Sequence, residues 1–405
     1  MPYTEVGEVW VVGSGDCGQL GLGEDILEKE RPSRLAYFND KNIVHVVSGG
    51  LHNIAISQDG KLYSWGCNDQ MALGRGGQEM EPGPVEGLED KVIVQVACGD
   101  SISVALTNHG DVYCWGTFRG ATGIFGFYPG IEIQPRPFKM NTLRKIVSIG
   151  AGNNHVACVD NNGMMYSWGN GEQGQLGHRI MERHSRGSQL LPRAISFYPS
   201  ELAESGARAS KKFERVYCGG YSSFFVHETN AVFGYGLNNY GQLGIGARTD
   251  PIALPQRVQG YDEASGLRMM AVGEHHSLLL DGTGTVYAFG RGDSGQLGLG
   301  DVGETPYNSP TPITSLQPTN IIEISSNSSF NLAISDTVAM DSDNPTEARS
   351  NLYSWGYGDM GQLCNEGGGD ENTPFLVGLK GRRVIKASAG GQHSVFLIAP
   401  RQENA

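Results

Sequence analysis

Residues 13–24 read GSGDCGQLGLGE, directly after the apolar run Val9-Trp10-Val11-Val12. A literal G-x-G-x-x-G behind a strand is the spelling of a dinucleotide-binding turn, where glycines let the backbone approach a pyrophosphate at a helix N-terminus. Cysteines and histidines are the other residues that could carry chemistry. Cys17, Cys67, Cys98, Cys114, Cys158, Cys218 and Cys364 are odd in number, scattered and without a C-x-x-C pair. They support neither a metal site nor a disulfide framework, and they fit a reduced, intracellular protein. His52, His155, His276 and His393 each end a G-x-x-H turn, and Ile102, Ser222 and Phe330 stand in that slot elsewhere. A slot that accepts isoleucine needs no ligand chemistry, so these histidines read as structural. His275, one place before His276, breaks the pattern and is the better functional candidate.

The glycine motif returns. GNGEQGQLG (169–177), GLNNYGQLGIG (236–246), GRGDSGQLGLG (290–300) and GYGDMGQL (356–363) echo the first copy. Weaker copies are GCNDQMALG (66–74) and GTFRGATGIFG (116–126). A dinucleotide fingerprint occurs once and opens an amphipathic helix. Here four copies match it, and no sustained 3.6-residue periodicity follows. The glycines therefore serve positive-φ turns and close backbone approach.

Each copy follows a strand-like run such as VWVVG, LYSWG, VYCWG or VYAFG, and alternates with a second element such as VVSGGLHNIAIS or ASAGGQHSVFLI. Gly66, Gly116 and Gly169 are spaced at the length of four short strands with their loops, one propeller blade. Both elements occur seven times. The chain opens on the first element without its partner and ends on the second without its sequel. The expected architecture is thus an all-β, seven-bladed propeller of four-stranded blades, one domain over 1–405. Pairing of the N- and C-terminal segments closes its ring and removes open edges.

Composition agrees. Glycine makes up 59 of 405 residues, roughly double ordinary usage, with no collagen-like period. A formal net charge of −13 favours a basic partner and opposes a surface that wraps nucleic acid throughout. MPYTEVGE lacks the basic start and apolar core of a secretory signal. No apolar stretch approaches membrane-spanning length, so no membrane partner is expected.

Strand direction places every G-x-x-H turn and every G-x-G-D turn at one end of the propeller, and the short hairpins and inter-repeat connectors at the other. A basic connector, 178–213, carries Arg179, Arg183, Arg186, Arg193, Arg208, Lys211 and Lys212 against three acids. It is expected at the hairpin end. A second connector, 336–350, is acidic and reads as solvated. Trp10, Trp65, Trp115, Trp168 and Trp355 are assigned to the core slot before each glycine.

YSWG, GQLGLG and G-G-x-H at this period resemble the regulator of chromosome condensation family over essentially the whole chain. DCGQLGLGE, GCNDQMALGR (66–75), VACGDS (96–101) and WGTFRGATGIFG (115–126) resemble its Ran guanine-nucleotide exchange branch. That resemblance implies exchange on the small GTPase Ran without covalent chemistry or cofactor, by a monomer in the nucleus, with the cytoplasm as the second compartment. It assigns contact roles to Asp16, Asp100, His275 and Asn154, the last standing where the branch carries an acid. It also assigns a GTPase wedge to Phe118, Arg119, Gly120, Ala121, Thr122, Gly123, Ile124 and Phe125. Arg186 matches arginines that engage an acidic histone surface, with Lys211 and Lys212 near DNA phosphates of the nucleosome. Tryptophans confined to core slots speak against the family's plant ultraviolet-B photoreceptor branch. Asp100 is read as the single acid in its repeat slot. The rival class is a propeller scaffold that binds protein or chromatin without exchange; it has no reason to replace GQLG by an apolar string in one blade.

Overall fold

In the computed structural model of the chain, the described residues are 3–180, 186–199, 212–301, 307–336, 350–379 and 381–401. They form seven four-stranded antiparallel sheets in a ring, the expected propeller, and one additional two-stranded hairpin. The first blade shows the plan. Ile43–Ser48 lines the central channel, His52–Ser57 and Leu62–Gly66 follow outward, and the short strand Gly83–Pro84 lies at the rim. The inner three are β-branched and aromatic runs buried on both faces, as a strand between two sheets must be.

Ring closure follows the expected join. Glu8–Ser14 pairs with His393–Ile398 in the register Glu8↔Ile398 to Gly13↔His393, so one sheet combines both ends of the chain. The cores lie between neighbouring sheets. Val9, Val11 and Leu397 of the closing sheet pack with Ile43, Val46 and Trp65 of the first blade. Inside the channel, Tyr3 stacks on His45 with ring centroids 3.8 Å apart, and Lys386 pairs with Glu323 at 2.7 Å.

Two glycine positions explain the motif. Gly66 and its equivalents, such as Gly169 and Gly290, have φ of 107°, 112° and 107°, and a Cβ there would collide with the carbonyl before the histidine slot. Further along, Gly21 takes φ of 64°, and its Cβ would lie 2.8 Å from Trp65 Cδ1 of the next blade. The buried glutamine closes the turn. Gln19 Oε1 accepts from Cys17 N at 2.8 Å, and Gln296 does the same for Ser294.

The structural histidines latch neighbouring blades. His52 Nε2 lies 2.8 Å from Ser103 Oγ, and His155 lies 2.7 Å from Ser223. His276 reaches Asn331 Oδ1 and His393 reaches Asn53 Oδ1, both at 2.7 Å. Trp65, Trp115, Trp168 and Trp355 fill the core slot, but Trp10 does not. Alignment of Gly13 with Gly66 puts Val12 in that slot and Trp10 two residues back, at Tyr63's position in the repeat. Trp10 is instead half-buried on the outer surface beneath Arg382, at 4.5 Å.

Candidate functional site

The unusual third glycine turn folds as a hairpin, Phe118–Gly120 against Gly123–Gly126. Its ends and its tip differ. Phe118 is fully buried and Phe125 is 7 % exposed, both within one inter-blade core with Trp168 and Leu190. The solvent-facing part is Arg119 to Ile124, with Ile124 40 % exposed. The two phenylalanines therefore anchor the hairpin, and Ile124 is the one large apolar side chain its tip exposes. Neighbouring turns hold it in place. Asn154 Oδ1 accepts from Arg119 N at 2.7 Å, Asn170 Nδ2 donates to Arg119 O at 3.0 Å, and Glu172 accepts from Ala121 N at 3.4 Å.

Asn154 faces both ways. Its side chain also lies beside the Asp100 carboxyl and favours the charged form, so one residue stands between the acid and the hairpin. An amide can accept from Arg119 and donate to Asp100, whereas a carboxylate at 154 could only accept. Burial, followed by the nearby Glu274, pushes Asp100 up to about 6. Asp100 is not alone in its slot. In the repeats, Glu274 is the corresponding residue, two places before its structural histidine. The single-acid reading of Asp100 is thus corrected; ring closure brings the two equivalent acids close enough to repel.

His275 sits beside Glu274, its Nε2 4.0 Å from Glu274 Oε1, with 20 % of its side chain exposed. Burial first, and then Arg291, lowers its pKa against the opposing pull of Glu274. Asp16 shares this end of the propeller, exposed on a turn that Gln19 closes. Near it lie Asp69 and Glu79, which with Asp16 add to the burial that raises the Cys17 thiol. The structure thus gathers Asp100, Asn154, His275 and the hairpin around the channel mouth, and sets Asp16 on a separate turn.

The basic connector is divided between the two ends. Residues 170–192 join Met165–Gly169 to Arg193–Ala194, which pairs back onto Tyr166 and Ser167. The described connector residues in that stretch, 178–180 and 186–192, therefore lie at the hairpin's end, contrary to the expectation that the whole connector emerges opposite. Arg186 Nη1 donates to Ile124 O at 3.4 Å, and its guanidinium lies 5.0 Å from the Phe125 ring centroid. Lys212 is at the far end, near Glu214 and Glu228 at 3.6 and 3.8 Å. Lys211 lies outside the described residues, as do 181–185, 200–211 and most of 336–350. Arg186 and Lys212 therefore do not share a surface.

Several site residues escaped the sequence reading: Glu274, Tyr221, Tyr240, Glu172 and Arg291. Glu274 was recoverable by aligning repeats on the histidine slot. The tyrosines carried no such signal, because tyrosine at a turn is equally a packing residue.

Residues 8–396 match the RCC1-like domain family. The regulator of chromosome condensation of Mus musculus is 35 % identical over 418 residues, covering 99 % of this chain and 93 % of that protein. The guanine nucleotide exchange factor SRM1 of Saccharomyces cerevisiae is 30 % identical, over 96 % of this chain and 86 % of that one. Among solved structures, Prp20p of Saccharomyces cerevisiae, characterised for its binding to Gsp1p and histones, has a TM-score of 0.85 at 29 % identity. The match covers 99 % of this chain and 94 % of Prp20p.

Proposed function

The chain belongs to the RCC1-like domain family, and we infer that it is a guanine-nucleotide exchange factor that promotes GDP release from the small GTPase Ran. One observation carries this reading: a hairpin that no other repeat forms among the described residues is fastened over the same end that holds Asp100, Asn154 and His275. A propeller that only scaffolds has no use for so constrained a protrusion. The printed activity of SRM1 and the Gsp1p binding of Prp20p support the same conclusion.

Exchange needs no bond made or broken in this protein. The factor binds the nucleotide-free GTPase more tightly than the loaded one, and by reciprocity the nucleotide then binds the complex less tightly. A 10⁵-fold acceleration requires about 7 kcal/mol of differential stabilisation. The Arg119–Ile124 tip displaces the GTPase's nucleotide-binding segment, and Asp100, Asn154 and His275 hold the displaced region. Acidic Asp16, Asp69, Glu79, Glu172 and Glu274 at this end steer a basic face of the partner. Chromatin association, and with it a nuclear location, is supported by the histone binding of Prp20p and by the chromosome-condensation relatives.

The decisive experiment is release of a fluorescent GDP analogue from purified Ran. Catalytic amounts of this protein should accelerate it. Release at the intrinsic rate, with Ran still bound, would leave the scaffold reading.

A further inference from the structure

His275 is held on every side but one. Its carbonyl accepts from Arg291 N at 3.0 Å, and the preceding Glu274 N donates to Ser328 O at 2.9 Å, which fixes the backbone between two blades. The imidazole lies between two tyrosines from the fourth blade. Tyr221 stacks on it with centroids 5.7 Å apart at 27°, and Tyr240 covers it at 5.3 Å and 57°. Tyr240 is backed in turn by Arg291, 5.1 Å from its ring centroid, and Asp293 grips that guanidinium through contacts of 2.7 to 2.9 Å. Tyr221 lies near Glu274 and Asn153, and burial raises its hydroxyl pKa. Within this slot Nδ1 is buried without a hydrogen-bond partner, whereas Nε2 faces Glu274 at the open edge.

The tautomer follows from these contacts. A buried N–H without an acceptor costs more than a bare ring nitrogen with an unused lone pair, so the proton of the neutral ring belongs on Nε2. We propose that Tyr221 and Tyr240 are positioning residues of the exchange site: they clamp the His275 ring so that its Nε2–H projects from the channel mouth toward an acceptor on the GTPase. This rests on the exchange reading of that end. The charged groups around the ring are Glu274, Arg291 and Asp293, and burial by the two tyrosines disfavours the imidazolium that Glu274 would otherwise promote. Rings of tyrosine suit this role because they shield large area at the cost of few rotatable bonds.

The test uses the full chain with isotope-labelled histidine, following the His275 ring by NMR across pH 5 to 8, beside Ran exchange at pH 7.5. Tyr240→Leu and Tyr221→Leu should raise the His275 titration midpoint toward that of a free imidazole and lower kcat/KM for exchange about tenfold. Tyr240→Phe and Tyr221→Phe keep the rings and should stay within about twofold of the parent in both readouts. Tyr240 sits on a half-exposed turn, so its leucine variant carries the test even where Tyr221→Leu unfolds. An unchanged titration midpoint and unchanged exchange in Tyr240→Leu overturn the proposal, as do phenylalanine variants as impaired as the leucine ones. His275→Ala with full exchange activity would instead remove the exchange reading of His275, while the titration data still report on the clamp.

Discussion

The Arg186 guanidinium lies 5.0 Å from the centre of the Phe125 ring while its Nη1 reaches the Ile124 carbonyl oxygen. A loop of the third blade is thereby strapped across a hairpin that grows from the second. The contact unites what the sequence set apart, a basic connector and an apolar wedge.

Exchange should respond to that strap. A partly exposed cation–π contact contributes about 0.5–1 kcal/mol, so Arg186→Ala should slow Ran-GDP release roughly two- to fivefold, and Arg186→Lys less. An Arg186→Ala protein with parental exchange and weakened nucleosome binding would show that the arginine serves chromatin alone.

The hairpin's residues should separate into anchors and tip. Phe118→Ala empties a fully buried aromatic site and should cost about 3–5 kcal/mol of stability, seen in the melting temperature. Ile124→Asp changes an exposed side chain, so the melting point should hold while exchange drops at least tenfold. Equal loss of stability in both variants would contradict this division.

Asp100 should destabilise the native state when ionised. Its folded pKa of about 6 lies above the ordinary carboxyl value, so the cost is absent in acid, grows as pH rises from about 4, and is complete above 6. Asp100→Asn is thus expected to raise stability at pH 7.5 by about 3 kcal/mol, with the gain largely gone near pH 4. Denaturant melts at the two pH values measure it. A gain that persists undiminished at pH 4 would point to packing rather than charge.

The latch histidines impose an acid limit. Burial lowers His52 and His276 to about 4, and His155 and His393 to about 3. Their contribution is whole above pH 6.5 and is lost as pH falls toward 4, since the unfolded chain takes up protons that the fold refuses. Each latch gives up roughly 2–3 kcal/mol by pH 4.5, so the melting temperature should fall steeply between pH 6.5 and 4.5. His393→Phe, copying Phe330 of the sixth blade, should flatten that slope by about one proton. A slope unchanged in the variant would locate the acid sensitivity elsewhere.

The propeller is legible in the order of residues alone, because its causes are local and repeated. Gly66 needs its positive φ, Gln19 closes its own turn, and the histidine slot recurs at a blade's spacing; counting such units yields seven blades and a shared closing sheet. That order also placed Asp100, Asn154, His275 and the hairpin at one end, since strand direction follows from the order of turns. What meets across repeats depends on how the ring folds. Asp100 repels Glu274, Tyr221 and Tyr240 close on His275, and Arg186 reaches Ile124 only because the ring curves distant segments onto one mouth. The folded ring decided burial as well: Phe118 and Phe125 became anchors because a neighbouring blade covers them. Local turn chemistry is written along the chain, whereas contacts between repeats depend on the curvature and register of a closed ring, which no single repeat encodes.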